Sequence, residues 1–293
     1  MIEAILISGA ISASIYCLLA LGLTLIYGVS GVVNLAHGAF FMLGAYFYYV
    51  FSVSLLQLHP ILALIVSVVC VGIVGAVSYR LFMHPVIRDP VSILVVTVCL
   101  ALAIQQVVLI AFQRLFLVPI PPIFEGATTI WGVTVTYSKL LAFGASLVVF
   151  FSLWMFISKT KIGRTMRALS QDIEVSMLMG VNTTRLYTLT MFLSTALGGA
   201  AGIFVGSATM KVAHPYMWFH PLALSFAIVI LSGLGSIKGT LVGSIIVAYA
   251  EISTKYLAPR GGNVITAVPM VVIAAVLIFR PKGLFGKRVE LEE

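Results

Sequence analysis

Long apolar runs, cut at intervals by charges and by Gly or Pro, set the character of this chain. Residues 4–79 contain no Asp, Glu, Lys or Arg, enough for three crossings of a bilayer at about 20 residues each. The runs are continuous rather than alternating apolar and polar. They therefore predict helices and exclude the alternating segments of about 10 residues that build an outer-membrane barrel. Cutting at charges and Gly/Pro punctuation gives nine candidate spans: 5–27, 32–53, 60–81, 92–112, 140–157, 186–207, 221–232, 240–252 and 264–279. The seventh and eighth are short and joined by Ser232-Gly-Leu-Gly-Ser-Ile-Lys-Gly239, so either can be a broken or partly re-entrant helix. The predicted fold is an all-α polytopic transmembrane bundle of about eight to ten spans. It forms one membrane domain over 1–293, with a charged loop at 159–185 and a tail at 280–293. Residues 114–139, with Pro119, Pro121 and Pro122, read as an outside loop with room for a strand or short helix.

Composition agrees: 61% of the residues are hydrophobic and 9% charged, against about a quarter charged in a soluble domain, which excludes a water-soluble fold. The net charge of +8 does not point to nucleic acid, because the basic residues sit between apolar runs and are not interleaved with aromatics. They orient the chain instead. With the N-terminus outside, the inside segments collect Arg80, Arg88, Lys159, Lys161, Arg164, Arg167, Arg185, Lys238, Arg280, Lys282, Lys287 and Arg288, twelve of 17 basic residues. This bias predicts N-out, C-in. Met1-Ile-Glu3 lacks the basic n-region of a cleaved signal, so the first helix is expected to stay. Cys17, Cys70 and Cys99 each lie in an apolar run without partners at metal-ligand spacing, and read as lipid-facing or packed thiols.

Two Gly-rich segments interrupt the apolar pattern. The first, 28–46, carries Asn34, His37 and Gly38 at membrane depth; the second, 233–249, carries Gly233, Gly235, Lys238 and Gly239. Laid side by side, His37-Gly38 matches Lys238-Gly239 and both runs end in Ala-Tyr, a faint internal repeat. Transporters place such interrupted segments around a midplane path, which makes Asn34, His37, Gly38, Gly233, Gly235 and Gly239 candidates to line one. The alternative is that Asn34 and His37 simply hydrogen-bond neighbouring helices. Small residues every fourth position, Gly198-Gly202-Gly206 and Gly235-Gly239-Gly243, allow close helix approach within one subunit or between two.

The loop 159–185 carries apolar residues at 166, 169, 173 and 177, the spacing of one helical face. Ser170 is placed to cap a helix whose first turn holds Asp172 and Glu174, and Gly180 to end it. An amphipathic element in a charged inside loop suits a groove on a soluble partner; the alternative is a helix resting on lipid.

Four motifs, Asn34-Leu-Ala-His-Gly-Ala-Phe40, Arg167-Ala-Leu-Ser-Gln-Asp-Ile-Glu174 leading to Gly180-Val-Asn182, Gly233-Leu-Gly-Ser-Ile-Lys-Gly239 and Arg280-Pro-Lys-Gly-Leu-Phe-Gly286, resemble the LivH-type permease family of branched-chain amino acid ABC importers. They occur in the family's order and run nearly end to end. The resemblance implies a prokaryotic inner-membrane permease that imports substrate and pairs with a LivM-like second permease. It also implies two partner ABC ATPases that bind the ATP, an extracytoplasmic substrate-binding protein, and no cofactor held by this chain. In that family the ATPase-coupling loop holds a Glu-x5-Gly pattern, which Glu174 and Gly180 fill here with Asp172 and Arg167 beside them. Val175-Ser176 departs from the Ala-Ala of many relatives. A urea-importing branch is similar, but its residues after His-Gly often turn acidic, whereas Ala39-Phe40 is apolar, favouring leucine, isoleucine or valine.

No Gly-x4-Gly-Lys-Ser/Thr run occurs, so this chain is not expected to bind ATP itself. The two aspartates, Asp89 and Asp172, fall in predicted inside loops, and the spans offer no paired carboxylates or His-x3-His set, so no enzyme activity is expected. Two rivals remain. One is an ion-coupled secondary transporter, for which Glu251 is the candidate intramembrane acid; the other is an assembly subunit with no path of its own.

Overall fold

The computed structural model describes residues 2–87, 89–112, 117–209, 212–257, 270–272, 274–276, 278 and 283–285. Its helices are α1 (Ile2–Ser30), α2 (His37–Tyr49), α3 (Pro60–Ser78), α4 (Pro90–Ala111), α5 (Tyr137–Lys159), α6 (Lys161–Leu169), α7 (Ile173–Leu178), α8 (Thr183–Thr209), α9 (Phe219–Ser232) and α10 (Ile237–Leu257). A wider turn over Val50–Ser54 prolongs α2, and turns over Tyr79–Met83 and His84–Val86 prolong α3. The first eight predicted spans each coincide with a helix, although the second starts late because 31–36 is unwound. The ninth, 264–279, and most of the tail lie outside the described residues. Among the described residues, five helices, α1, α3 with its extension, α4, α5 and α8, are long and apolar enough to cross a membrane by length and composition.

Burial follows the apolar pattern. α1 is buried on every side from Cys17 to Ile26, as a helix that is hydrophobic all round must be, and packs on α10, α8, α5 and α9. α2 is buried from His37 to Tyr46 and fills the space between α8 and α3. α3, α4 and α5 each keep an apolar outer face, with Ile65, Val95 and Phe151 more than half exposed. That arrangement suits hydrocarbon outside and polar contacts inside. Ser194 Oγ donates to the Gly22 carbonyl at 2.6 Å, Thr24 and Thr240 hydroxyls meet at 2.8 Å, and Trp218 Nε1 donates to Gln105 Oε1 at 2.6 Å. Each bond ties two helices where no water competes, worth about 0.6–2 kcal/mol.

The two ends of the bundle differ. His84 Nε2 lies 3.0 Å from Thr184 Oγ1, which sets the end of α3 beside the start of α8. The ends of α1 and α5, the helix α6 and the α9–α10 turn share one cavity. This loop end therefore carries Arg80, Lys159, Lys161, Arg164, Arg167, Arg185 and Lys238. At the opposite end β1 (Val118–Pro119) pairs antiparallel with β4 (Val212–Ala213), and β2 (Ala127–Ile130) with β3 (Val133–Thr136). The β2–β3 hairpin supplies the strand expected in the outside loop; its turn residues Trp131 and Gly132 have φ of 48° and 75°, as a tight two-residue hairpin turn requires.

Pro90 opens α4 and Asp89 caps it, accepting the Val91 amide at 3.2 Å and the Ser92 amide at 3.3 Å, with the Ser92 hydroxyl also donating. The Ser92 hydroxyl, with help from the amides, holds the Asp89 carboxyl below its ordinary range. The cap therefore acts fully above that range and is lost only as pH falls through the lowered value. Asp89→Ala is expected to speed amide exchange at Val91 and Ser92, and Asp89→Asn to preserve protection. Equal exchange in all three proteins would show that the cap carries no weight.

Candidate functional site

The first interrupted segment turns the chain back into the bundle: α1 runs on to the loop end, where Gly28 packs on Gly235, before it stops. α1 ends at Gly31, whose φ is 68° and whose amide donates to the Tyr27 carbonyl at 2.8 Å, a left-handed C-cap. The chain then unwinds past buried Val32, Asn34 and Ala36 and restarts as α2 at His37. Asn34 controls the restart: its Oδ1 accepts the Ala36 amide at 3.0 Å, its carbonyl accepts the His37 amide at 3.3 Å, and its Nδ2 reaches Met191 Sδ at 3.6 Å. His37 Nε2 lies 2.9 Å from the Leu19 carbonyl. A carbonyl only accepts, so Nε2 carries the proton, and Nδ1 is a buried acceptor without a hydrogen-bond partner. The ring fits between two glycines. A methyl group added at Gly22 would stand 2.5 Å from its Cε1, and one at Gly198 3.0 Å away.

A second half-length helix starts at the same place. Gly38 lies against the Trp218 carbonyl and Leu222, where α9 begins. From there α2 runs toward the strand end and α9 toward the loop end. At 13 and 14 residues and 1.5 Å per residue, neither alone crosses a hydrocarbon core of about 30 Å. Their N-termini, the positive ends of the backbone dipoles, thus sit side by side halfway through the bundle, the arrangement that places polar backbone at the midplane of transporters. His37→Ala is expected to lower stability by about 2–4 kcal/mol through the lost bond and the void between the two glycines. Thermal unfolding of the purified protein reads this directly, and an unchanged midpoint would contradict it.

The second interrupted segment lies elsewhere. Gly233, with φ 87°, ends α9; Gly235, with φ 80°, turns the chain against Gly28; and Gly239 packs on the Ser232 carbonyl. Gly233, Gly235 and Gly239 thus form the α9–α10 turn at the loop end, apart from Asn34, His37 and Gly38. The closing motif completes it: the Leu284 amide donates to the Leu231 carbonyl at 2.8 Å and the Phe285 amide to the Ser232 carbonyl at 3.1 Å, satisfying the last carbonyls of α9. Both small-residue ladders pack within the one chain, Gly198, Gly202 and Gly206 against His37, the Phe41 backbone and Ile120, and Gly239 and Gly243 against α9.

The charged loop differs from its predicted shape. Thr160 caps α6 by accepting the Gly163 amide at 3.0 Å, Met166 and Leu169 are buried, and Arg167 Nη2 donates to the Ser158 carbonyl at 3.3 Å. The expected single face over 166, 169, 173 and 177 breaks after Leu169. Ser170 ends α6, and the cap of the next helix is Asp172, whose Oδ1 accepts the Val175 amide at 2.9 Å. The intervening turn rotates α7, so Ile173 and Met177 face outward and Ser176 inward. Gly180, with φ 83°, closes α7, its amide donating to Met177 and that of Val181 to Ser176. Asp172, Glu174 and Gly180 therefore share α7, while Arg167 sits on α6 against the end of α5. α7 leaves Leu178 87% and Met179 81% exposed.

Residues that the sequence did not single out tie the break to its surroundings: Gln105 with Trp218, Ser194 with Gly22, and Thr24 with Thr240. Their signal was an isolated polar side chain in an apolar run. Glu251 is buried between α1 and α10 beside Tyr16.

A multi-span apolar bundle with two half-helices meeting at its centre and a capped helix pair at one end defines a multi-pass membrane protein. The family described as "Branched-chain amino acid transport system / permease component" matches residues 5–280. This chain belongs to that family, which is a transport permease component and not a catalytic enzyme. It is 28% identical to the high-affinity branched-chain amino acid transport system permease protein BraD of Pseudomonas aeruginosa, over 96% of this chain and 95% of that protein. With LivH of Escherichia coli strain K12, named likewise, the identity is 27%, over 96% and 94%. LivM of Salmonella typhimurium is 24% identical over 92% of this chain and 67% of its own length. A solved structure, PsaBC from Streptococcus pneumoniae in complex with Fab, shares the fold with a TM-score of 0.55 at 14% identity, covering 95% of this chain and 92% of that one.

Proposed function

We propose that this chain is one permease subunit of an ATP-driven importer that carries leucine, isoleucine or valine across the inner membrane by alternating access. Its N-terminus lies outside and its loop end faces the cytosol, in keeping with the basic residues gathered there. It pairs with a LivM-like permease, receives substrate from an extracytoplasmic binding protein and is driven by two ABC ATPases that bind the ATP. The family and its relatives named for branched-chain amino acid transport support the substrate class. The observation that carries the coupling role is α7, a short helix outside the spans that presents Leu178, Met179 and Val175 to solvent beside Glu174. Exposed apolar side chains on a short helix beyond the ends of the spans suit a contact with a partner. The central break, with Asn34, His37 and Gly38, is where the path is proposed to narrow, and Gly233, Gly235 and Gly239 are proposed to hinge its cytosolic mouth.

Gentle purification of the native assembly should recover two ATPases and a second permease, and vesicles containing it should accumulate labelled leucine only with ATP and the binding protein. Uptake by this chain alone, without ATP, would overturn the reading. A second reading, an ion-coupled carrier, rests on buried Glu251; it requires that Glu251→Gln abolish uptake while ATPase depletion does not. Competition by excess urea would move the substrate to the urea-importing branch.

A further inference from the structure

At the loop end, a cavity of about 410 Å³ opens between the ends of α1 and α5, the helix α6 and the α9–α10 turn. Its size falls within the roughly 300–1,000 Å³ of small-molecule sites, and its walls divide by chemistry. The α1 and α5 walls are mostly apolar, with Leu25, Val29, Trp154 and Ile157 beside Thr24 and Ser158; α6 and the α9–α10 turn bring Arg167, Lys238, Gln171 and Ser236. None of the described lining residues is acidic, so two cations face the cavity with no anion across it. Arg167 is held in place by its bond to the Ser158 carbonyl at the end of α5. Ser236 caps α10 by accepting the Gly239 amide at 3.1 Å, which turns the positive first turn of that helix, Ile237 and Lys238, toward the same space.

We propose that this cavity is a binding site for the phosphate of an anionic phospholipid, with the phosphate between Arg167 and Lys238 and the glycerol end of the acyl chains on Leu25, Val29 and Trp154. The division of the walls selects this occupant: a basic pocket at the cytosolic ends of spans suits a lipid headgroup, and the apolar half gives a free anion nothing to bind. A lipid seated there bridges α6 to α1 and α10. Its occupancy sets how firmly the element leading into α7 is held to the bundle. This last consequence rests on the coupling role proposed above; binding itself does not, and is read without transport.

The assembly, purified and exchanged into nanodiscs of phosphatidylcholine with a tenth part phosphatidylglycerol, is weighed by native mass spectrometry for retained lipid. Wild type is expected to retain phosphatidylglycerol preferentially, and Arg167→Gln with Lys238→Gln to retain at least tenfold less. Lys161→Gln with Arg164→Gln, which removes the same charge outside the cavity, should retain it like wild type. Arg167→Lys should restore most retention and so exclude simple misfolding. Equal retention in wild type and the cavity variant, or equal loss in both double variants, overturns the site. Inorganic phosphate that binds wild type in pure phosphatidylcholine discs, with no preference for phosphatidylglycerol, overturns the lipid in favour of a soluble phosphate.

Discussion

Replacing Gly202 by alanine is expected to remove most of the folded protein, whereas Gly144→Ala leaves the yield unchanged or raises it. Both glycines lie inside helices, where Ala is intrinsically better by about 0.8–1 kcal/mol. Their surroundings decide the sign. A methyl group at Gly202 would overlap the Phe41 carbonyl, and one at Gly44 on the facing helix would overlap that of Gly199. The Phe41 carbonyl is backbone of α2 and the Gly199 carbonyl backbone of α8, and His37 already ties α2 to α1 through the Leu19 carbonyl, so α2 has no free direction in which to retreat. Overpacking of this kind costs about 1–3 kcal/mol and more when backbone must shift. A methyl group at Gly144 on α5 meets nothing within 4 Å. Size-exclusion chromatography after graded heating measures both; equal melting of the two variants would contradict the α2–α8 contact.

Leu178→Asp combined with Met179→Asp is expected to cut uptake by about thirtyfold, the effect of losing about 2 kcal/mol at an interface anchor, without loss of expression. Both side chains are more than four-fifths exposed, so folding does not depend on them. Glu174→Lys should act in the same direction. Gly180→Val approaches the same surface through the backbone: space around Gly180 is open, and the cost is the left-handed φ of 83°, about 1–2 kcal/mol for a residue with a side chain. Gly180→Asn should be milder, since Asn visits that region readily. Uptake at the wild-type rate in the Leu178/Met179 variant, with normal assembly, would remove α7 from the coupling role.

The spans were legible because burial in hydrocarbon needs long apolar runs, and residues 4–79 and 186–207 supplied them without charges. The central break was legible for a related reason: Asn34, His37 and Gly38 are costly at membrane depth unless the backbone there is irregular. What could not be read was which break faces which. The sequence matched His37-Gly38 to Lys238-Gly239, but Gly38 meets Trp218, in a stretch with no conspicuous Gly signal. That pairing is tertiary, made by Gln105 on α4 reaching Trp218. In the loop, a helical face was traced straight through 170–172 because spacing alone ignores that Asp172 gains more as a cap than as an interior residue. Family membership came from ordered motifs, which survive even where the register of α7 does not.

The cap on α9 has a consequence for how the protein is made. α9 starts halfway through the bundle, is too short to cross, and has its final carbonyls at Leu231 and Ser232 answered by the amides of Leu284 and Phe285. Those residues leave the ribosome several seconds after α9 at about 5–20 residues per second, after α10 has been synthesised. Until then the nascent chain holds a half-inserted helix with an open end. Truncation before Leu284 should leave the last carbonyls of α9 unanswered and the helix less firmly held, read as faster proteolysis of the truncated chain in membranes.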